Sequence, residues 1–523
     1  MLARARAALT GGDPATAARL AETLIRGNSA LAEGWFLLGM TLIESGHAGH
    51  ALGPIGRAAA LDPASAEYAV QQARVLCQLQ RDAEARAVAM RAMGLACDDP
   101  LTLDTLGCVL ARLGDHAAAL PLFARAVAAQ PDNLSFRFNY ASSLGFFGAV
   151  AEAEAQYEAM IARDPANGAA HYGLVLLRRQ RPEADPASRI EAAIPLARDH
   201  ETSVRLHYAA AKVHEDLGNS AAAFAHLDKA NRAHRAMIGY DPAVDAALFD
   251  ALEAAFAGSA PANEAPAPDG PIFIVGLPRT GTTLVERILA AHPDTLALGE
   301  LQAMPLAIKR LTGTRSRLVL DPATIAAAAD LPGKDIARAY RDQAMAQAGA
   351  AAGEAAGKRL IDKFPLNFLY VGYIARAFPQ ARIVCLRRHP LDSVWSNYKH
   401  LFALNSPYYG YSYDLLDTAQ YFAGFAGLIA FWRNAFPHQV MELEYERLLD
   451  DQEGQTRRLL AHCGLPWDQA CLEFHTRSGA VATPSAQQVR RPLNRDSVGR
   501  WQGYAAPLAP ITQFLHQSGL LDL

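Results

Sequence analysis

Between residues 276 and 283 the chain reads Gly276-Leu-Pro-Arg279-Thr280-Gly281-Thr282-Thr283. The spacing G-x4-G-x-[ST] is that of a loop that holds an anion on backbone N–H groups and on the N-terminus of the next helix. The lysine that would reach the β- and γ-phosphates of a nucleoside triphosphate is absent, because Thr282 stands there. The loop therefore suits an anionic group but lacks a central part of triphosphate chemistry, and Arg279 adds a fixed positive charge inside it. A plain β-turn-helix, with Gly and Thr serving turn and cap, is the other reading of the same residues. Arg388 and Ser396 follow a second apolar run eight residues apart. A guanidinium can fork two phosphate oxygens while a hydroxyl donates a third bond, although Arg388 alone reads as a surface charge. Glu300 closes AAHPDTLALGE, either as a base for a hydroxyl or as a solvated acid near a helix start. Lys363 lies among apolar residues in IDKFPLNF, in a chain with seven lysines and 42 arginines; a snorkelling lysine is its plainer reading.

These side chains need a scaffold that turns from strand to helix at each of them. PIFIVGL, ARIVCLR and QVMELEY are short β-rich runs, and the first two are each followed by helical periodicity. Strands alternating with helices predict a parallel α/β sheet, whose strand ends are where such ligands bind.

The first half repeats itself. Gly39, Ala73, Gly107 and Ala141 stand 34 residues apart, and so do Ala51, Ala85, Ala119 and Ala153. Ala58, Ala92, Ala126 and Met160 form a third column, and Pro63, Cys97, Pro131 and Pro165 a fourth. Small residues fill the columns where paired helices approach, and proline marks the joints between units. Ala5 and Ala17 extend the register backwards, and a related unit returns near Ala211, Ala223 and Ala230. Residues 257–270 (AGSAPANEAPAPDG) read as a linker. An irregular alanine-rich bundle would not keep four columns in step.

Over 523 residues the hydrophobic share is 51% and the charged share 20%, ample for packed cores. A formal charge of −4 offers no basic field for nucleic acid. No apolar stretch is long enough for a membrane span, and the N-terminus has no secretory pattern. The six cysteines, Cys77, Cys97, Cys108, Cys385, Cys463 and Cys471, have no metal or disulfide spacing, so thiols in a cytoplasmic chain are expected.

The 34-residue columns resemble tetratricopeptide repeats, with Trp35-x2-Leu38-Gly39 matching their W-x2-L-G pattern. Residues 270–505 resemble the sulfotransferases that use 3′-phosphoadenosine 5′-phosphosulfate (PAPS), and among them the tyrosylprotein and tetratricopeptide-fused types. The resemblance implies that Arg279, Thr280, Gly281, Thr282, Thr283 and Leu284 hold the 5′-phosphosulfate, and that Arg388 and Ser396 bind the 3′-phosphate. Tyr445 in MELEYERLL and Arg500 before Trp501 would complete the cofactor pocket. Glu300 would be the general base, while Arg279, Lys363 and Ser485 would balance charge on the transferring sulfuryl group and the leaving phosphate. Ser485 is placed by matching Pro492-Leu-Asn494 to the family. One departure is Leu301, where the tyrosylprotein enzymes carry a second acid. No histidine stands out as a base, and His292, His389 and His475 lack ligand spacing and read as structural; no metal is implied.

The fold expected is an α-helical tetratricopeptide-like solenoid over residues 1–256, the linker, and an α/β P-loop-type three-layer domain with a parallel sheet over 271–523. The function expected is transfer of a sulfuryl group from PAPS to a hydroxyl acceptor: a protein tyrosine, a glycan, or a small alcohol or phenol. The solenoid would position that acceptor or bind a protein or peptide partner. The alternative is a tetratricopeptide scaffold carrying a catalytically degenerate nucleotide-binding domain. A P-loop kinase lacks its lysine.

Overall fold

The computed structural model describes every residue except 183–185, 260–269, 317, 319, 349–352, 354, 477–488, 490, 522 and 523. Most of the expected linker, and Ser485, lie outside the described residues. The chain forms two compact units, Met1–Gly145 with Ala346–Gly349 and Phe146–Met345 with Ala350–Leu523.

In the first unit short helices follow one another from Leu2–Thr10 to His116–Ala129, and each packs on the next. Several begin at an Asp whose carboxylate accepts a backbone N–H of the first turn, as Asp99 does from Thr102 and Asp115 from Ala118. The sequence columns are the contact surfaces. Ala51, Ala85 and Ala119 are 0% exposed, and Ala58, Ala92 and Ala126 at most 2%. A Cβ on Gly107 would stand 2.6 Å from the Phe123 ring, and one on Gly39 2.3 Å from Ile55. In the intervening repeat, where Ala73 replaces glycine, the residue matching Ile55 and Phe123 is the smaller Ala89.

The second unit opens with six helices: Val150–Arg163, Gly168–Leu176, Pro186–Ala193, His200–Asp216, Ser220–Ile238 and Pro242–Phe256. They lead into a five-stranded sheet of β1 (Ile272–Gly276), β2 (Thr295–Ala297), β3 (Arg359–Asp362), β4 (Arg382–Arg387) and β5 (Val440–Glu444). Its order is β2-β3-β1-β4-β5, and every pairing is parallel. Side chains of β1 alternate between two buried faces. Ile272 and Ile274 pack with Val285 and Ile288 of the helix Thr282–Ala290, and with Leu459 of Gln452–His462. Phe273 and Val275 share the other core with Trp432 of Leu415–Ala435 and with Leu252 and Phe256 from the last helix before the sheet. Two buried faces make β1 apolar throughout and the domain three-layered.

That last helix is anchored by aromatic rings set on glycine. Phe256 lies edge-on to Trp432 and Tyr373 at 5.3 and 5.0 Å, over Gly372, where a Cβ would come within 2.5 Å. Phe249 sits likewise over Gly424, where a Cβ would come within 2.4 Å. Among the described residues no helix is long and apolar enough to cross a membrane, and none of the six cysteines forms a disulfide.

Candidate active site

Parallel register brings the two sequence motifs together. Gly276 at the end of β1 pairs with Leu386 of β4, so the loops that leave both strands meet where the strand order reverses. The first loop is held tightly. Gly276 has φ +152° and Gly281 φ +107°, and a Cβ on Gly281 would stand 2.7 Å from the Tyr445 ring. Arg279 itself adopts φ +65°, a left-handed conformation that costs a side chain about 1–2 kcal/mol. Thr280 turns its hydroxyl inward, donating to the Leu277 carbonyl at 2.7 Å.

Arg388 leaves β4 and is buried. It donates to Ser396 Oγ at 3.2 Å, to the carbonyl of Arg279 at 3.3 Å and to the carbonyl of Ser497. Its guanidinium lies 5.3 Å over the Tyr445 ring, and the Tyr445 hydroxyl is 2.9 Å from Ser497 Oγ. Asp392, one turn on, stands 3.7 Å from the guanidinium and accepts the Gly499 N–H at 2.7 Å. The segment before Arg500 is thus tied back to the start of the Arg388 helix. Arg388 Nε is buried without a hydrogen-bond partner among the described residues. A buried donor of this kind fits an anion better than it fits an empty core.

The second cluster lies on the other side of Arg279. Lys363, fully buried, donates to the Glu300 carboxylate and stands 3.8 Å from Glu286 on the phosphate-loop helix. Glu300 is 46% exposed while Glu286 is covered. Burial raises the Glu286 pKa, and Lys363 opposes it. Beside Lys363, burial pushes Asp362 up to about 8, although Tyr340 donates to it at 3.1 Å.

Two cavities meet at this point. The larger, about 630 Å³, is lined by Arg279, Gly281, Thr283, Leu284, Arg388, Ser396, Tyr445 and Arg500. The smaller, about 290 Å³, is lined by Arg279, Gly281, Thr282, Thr283 and Glu300, with Pro365, Leu401, Phe402 and Tyr409. Burial lowers the pKa of Arg279, and Arg388 adds to that push, so an anion placed between the two guanidiniums would be welcome.

The structure brings together every expected cofactor residue except Thr280, which lines neither cavity. Lys363 also lines neither and lies behind Glu300. Sequence reading missed the contribution of the helices before the sheet. Tyr172, Tyr208, Lys212 and Glu215 all line the larger cavity. Glu215 accepts from Lys399 at 2.7 Å and stands 3.8 Å from Arg500. Burial works to raise the Glu215 pKa, but Lys399, Arg500 and Lys212 outweigh it and hold the carboxylate below its ordinary range. His400 lines both cavities. Burial, Arg279 and Lys399 push its pKa well down, so the imidazole is neutral. The segment SNYKHLF carries no spacing that marks Lys399 or His400; their position just past the helix Pro390–Tyr398 that follows β4 becomes meaningful only in the fold.

Residues 271–469 match the sulfotransferase family. A protein of Aquifex aeolicus is 33% identical over 251 residues, which make up 47% of this chain and 32% of that one. Protein-tyrosine sulfotransferase 1 of Danio rerio is 26% identical over 253 residues, 44% of this chain and 65% of that one. The chain therefore spans about a third of the Aquifex protein and just under two thirds of the Danio protein. The sulfotransferase domain from the curacin biosynthetic pathway aligns at 18% identity with 49% of this chain and 99% of its own, at a TM-score of 0.35. The resemblance read from the motifs is thus met over the C-terminal half, behind a helical repeat region.

Proposed function

We propose that this chain transfers a sulfuryl group from PAPS to a hydroxyl-bearing acceptor. The observation that carries the reading is the meeting of the phosphate loop with Arg388 and Ser396 on one cavity, adjoining a second that holds Glu300, with Arg279 in the wall of both. PAPS, when bound, supplies the sulfuryl group and a phosphate that takes the departing electron pair. Arg388, Ser396, Tyr445 and Arg500 are proposed to hold its 3′-phosphate end, and residues 279–284 its 5′ end, with Thr280 acting through its backbone. Arg279 stands between the cavities, where charge would develop during transfer.

Glu300 is the proposed general base, receiving the acceptor's proton on its carboxylate. Lys363 holds that carboxylate in place. Once Glu300 is protonated, the Lys363 ammonium loses that counter-charge, so its field strengthens as negative charge builds on the transferring group. Positioned charge of this kind, with orientation of the two reactants, supplies most of the acceleration in group transfer. Ser485 is retained as a proposed donor to the same group. Pro365, Leu401, Phe402 and Tyr409 beside Glu300 favour a phenolic or otherwise apolar hydroxyl over a glycan, in keeping with the similarity to protein-tyrosine sulfotransferases. The repeats are proposed to engage a protein or peptide, in the cytoplasm, where the free thiols are kept reduced.

The test is sulfate transfer from PAPS across a panel of tyrosine peptides, phenols, alcohols and glycans, with Glu300→Gln beside wild type. Gln still accepts a hydrogen bond from Lys363. Turnover should fall roughly 10²–10⁴-fold while adenosine 3′,5′-bisphosphate affinity is kept. Near-wild-type turnover would remove Glu300 from the mechanism.

A further inference from the structure

Away from both cavities, the helices Pro186–Ala193, His200–Asp216 and Ser220–Ile238 bring three metal-ligating side chains to one point. Glu191, His214 and His226 each offer a ligand atom, and these atoms lie within 4.8 Å of one another. His214 Nε2 is 2.7 Å from Glu191 Oε1, and His226 Nε2 is 3.7 Å from the same oxygen. The two imidazoles stack with centroids 5.5 Å apart. Ligands held at 2.0–2.1 Å in a tetrahedron sit roughly 3.4 Å apart. The Glu191–His226 spacing is close to that value, and the Glu191–His214 contact has only to open by about 0.7 Å to reach it.

A fourth residue prepares the set. His207 Nδ1 lies 2.9 Å from His226 Nδ1. For His226 to bind a metal through Nε2, its proton must sit on Nδ1, and His207 is placed to accept that proton. An outer partner on the far nitrogen is the usual support of a ligating histidine. The sequence hides the group because its members come from three helices at irregular spacing.

We propose that Glu191, His214 and His226 form a binding site for a divalent transition metal of the zinc class, clipping three helices together. Two imidazoles and one carboxylate make a borderline-soft donor set that suits zinc, cobalt or nickel over calcium or magnesium, with one position left for water. The clip is structural with respect to the proposed transfer and depends on none of its steps. It fastens the last turn of the helix whose next residue, Glu215, holds Lys399 in the wall of the larger cavity.

The probe is Co²⁺ alone, titrated into the chelator-treated full chain and followed by visible ligand-field absorption, with Zn²⁺ as competitor. One equivalent should bind with the strong absorption of a low-coordinate nitrogen–oxygen site and be displaced by Zn²⁺. His207→Ala should weaken affinity about 10–100-fold, the usual effect of losing an outer partner. His214→Ala and His226→Ala should weaken it further than that. The Glu191 side chain is 46% exposed, so Glu191→Gln keeps the fold and should still lose affinity even if a histidine variant fails to fold. His200→Ala, which alters the separate His200–His234 pair (3.1 Å) at the other end of the same helix, should leave binding unchanged. Equal Co²⁺ affinity in wild type, Glu191→Gln and His214→Ala would overturn the assignment. So would loss of binding in His200→Ala alone.

Discussion

Gly107 lies against Phe123 in the first unit, and Gly372 lies against Phe256 in the second. The two contacts look alike and have different consequences. Phe123 fills a socket in the neighbouring helix of its own repeat, as Ile55 does over Gly39, so the contact recurs along the column and holds the two helices of a repeat together. Phe256 fills a socket far away in sequence, beneath Tyr373 and Trp432, and joins a helix that precedes the sheet to the core that carries it. A solenoid built from nearest-neighbour contacts keeps a strict period because each helix has the same surroundings. From Tyr172 onward side chains of these helices, Tyr208, Leu227, Phe249 and Phe256 among them, join the core of the α/β domain in place of a next repeat, and the 34-residue period is lost.

The largest effect expected from this difference concerns truncation. A chain starting at residue 257 loses Phe249 and Phe256, Tyr208, Lys212 and Glu215, and should neither fold nor bind adenosine 3′,5′-bisphosphate. A chain starting at residue 146 keeps the complete second unit and should do both, as read by circular dichroism and calorimetry. If the shorter chain folds and binds the bisphosphate, the helices before the sheet are dispensable to the α/β domain.

Phe256→Ala should come next, costing about 3–5 kcal/mol by leaving a cavity between Trp432, Tyr373 and Gly372. Denaturant unfolding measures it, with bisphosphate affinity falling in step. Gly107→Ala should cost about 1–3 kcal/mol by crowding Phe123. Adding Phe123→Ala restores the small-on-small arrangement of Ala73 and Ala89, so the double variant should lose the crowding penalty while exposing a cavity cost of its own. A double-mutant cycle separates the two.

A further effect concerns charge in the second unit. Asp362 has a folded pKa pushed by burial to about 8, against an ordinary 3.8. A group raised in this way contributes its full stability below its unfolded pKa and loses it as pH climbs to the folded value. Stability of the second unit should therefore decline between about pH 4 and pH 8. Asp362→Asn should flatten that decline, as read from unfolding midpoints at both ends of the range.

Much of this was legible in the residues. The alanine columns announced the repeats because a close helix contact admits only small side chains at fixed intervals. The loop at 276–283 and the Arg388–Ser396 pair were legible because each follows a strand dense in β-branched residues. β2 and β3 were not, since three and four residues with Arg359 and Asp362 among them give no apolar run. Arg388 could pass for a surface charge until β4 placed it beside β1. Lys399, His400 and Glu286 were missed because nothing local marks them; their meaning comes from Arg279, Glu215 and Lys363, which arrive from other elements. The stripe Leu248, Phe249, Leu252 and Phe256 in an otherwise alanine-rich helix was the available sign that this helix had a heavier partner than another repeat.

One cavity, walled by the phosphate loop, by Arg388 with Ser396, and by the helices ahead of the sheet, is proposed to be built for adenosine 3′,5′-bisphosphate. Calorimetric titration of that nucleotide into wild type and Arg388→Ala, with ATP as control, tests it most directly. One bisphosphate should bind per chain, Arg388→Ala should lose at least about 1.5–3 kcal/mol of affinity, the worth of a charge-assisted bond, and ATP binding should be weak or absent. No bisphosphate binding to the folded wild-type chain, or equal binding by the variant, would contradict it.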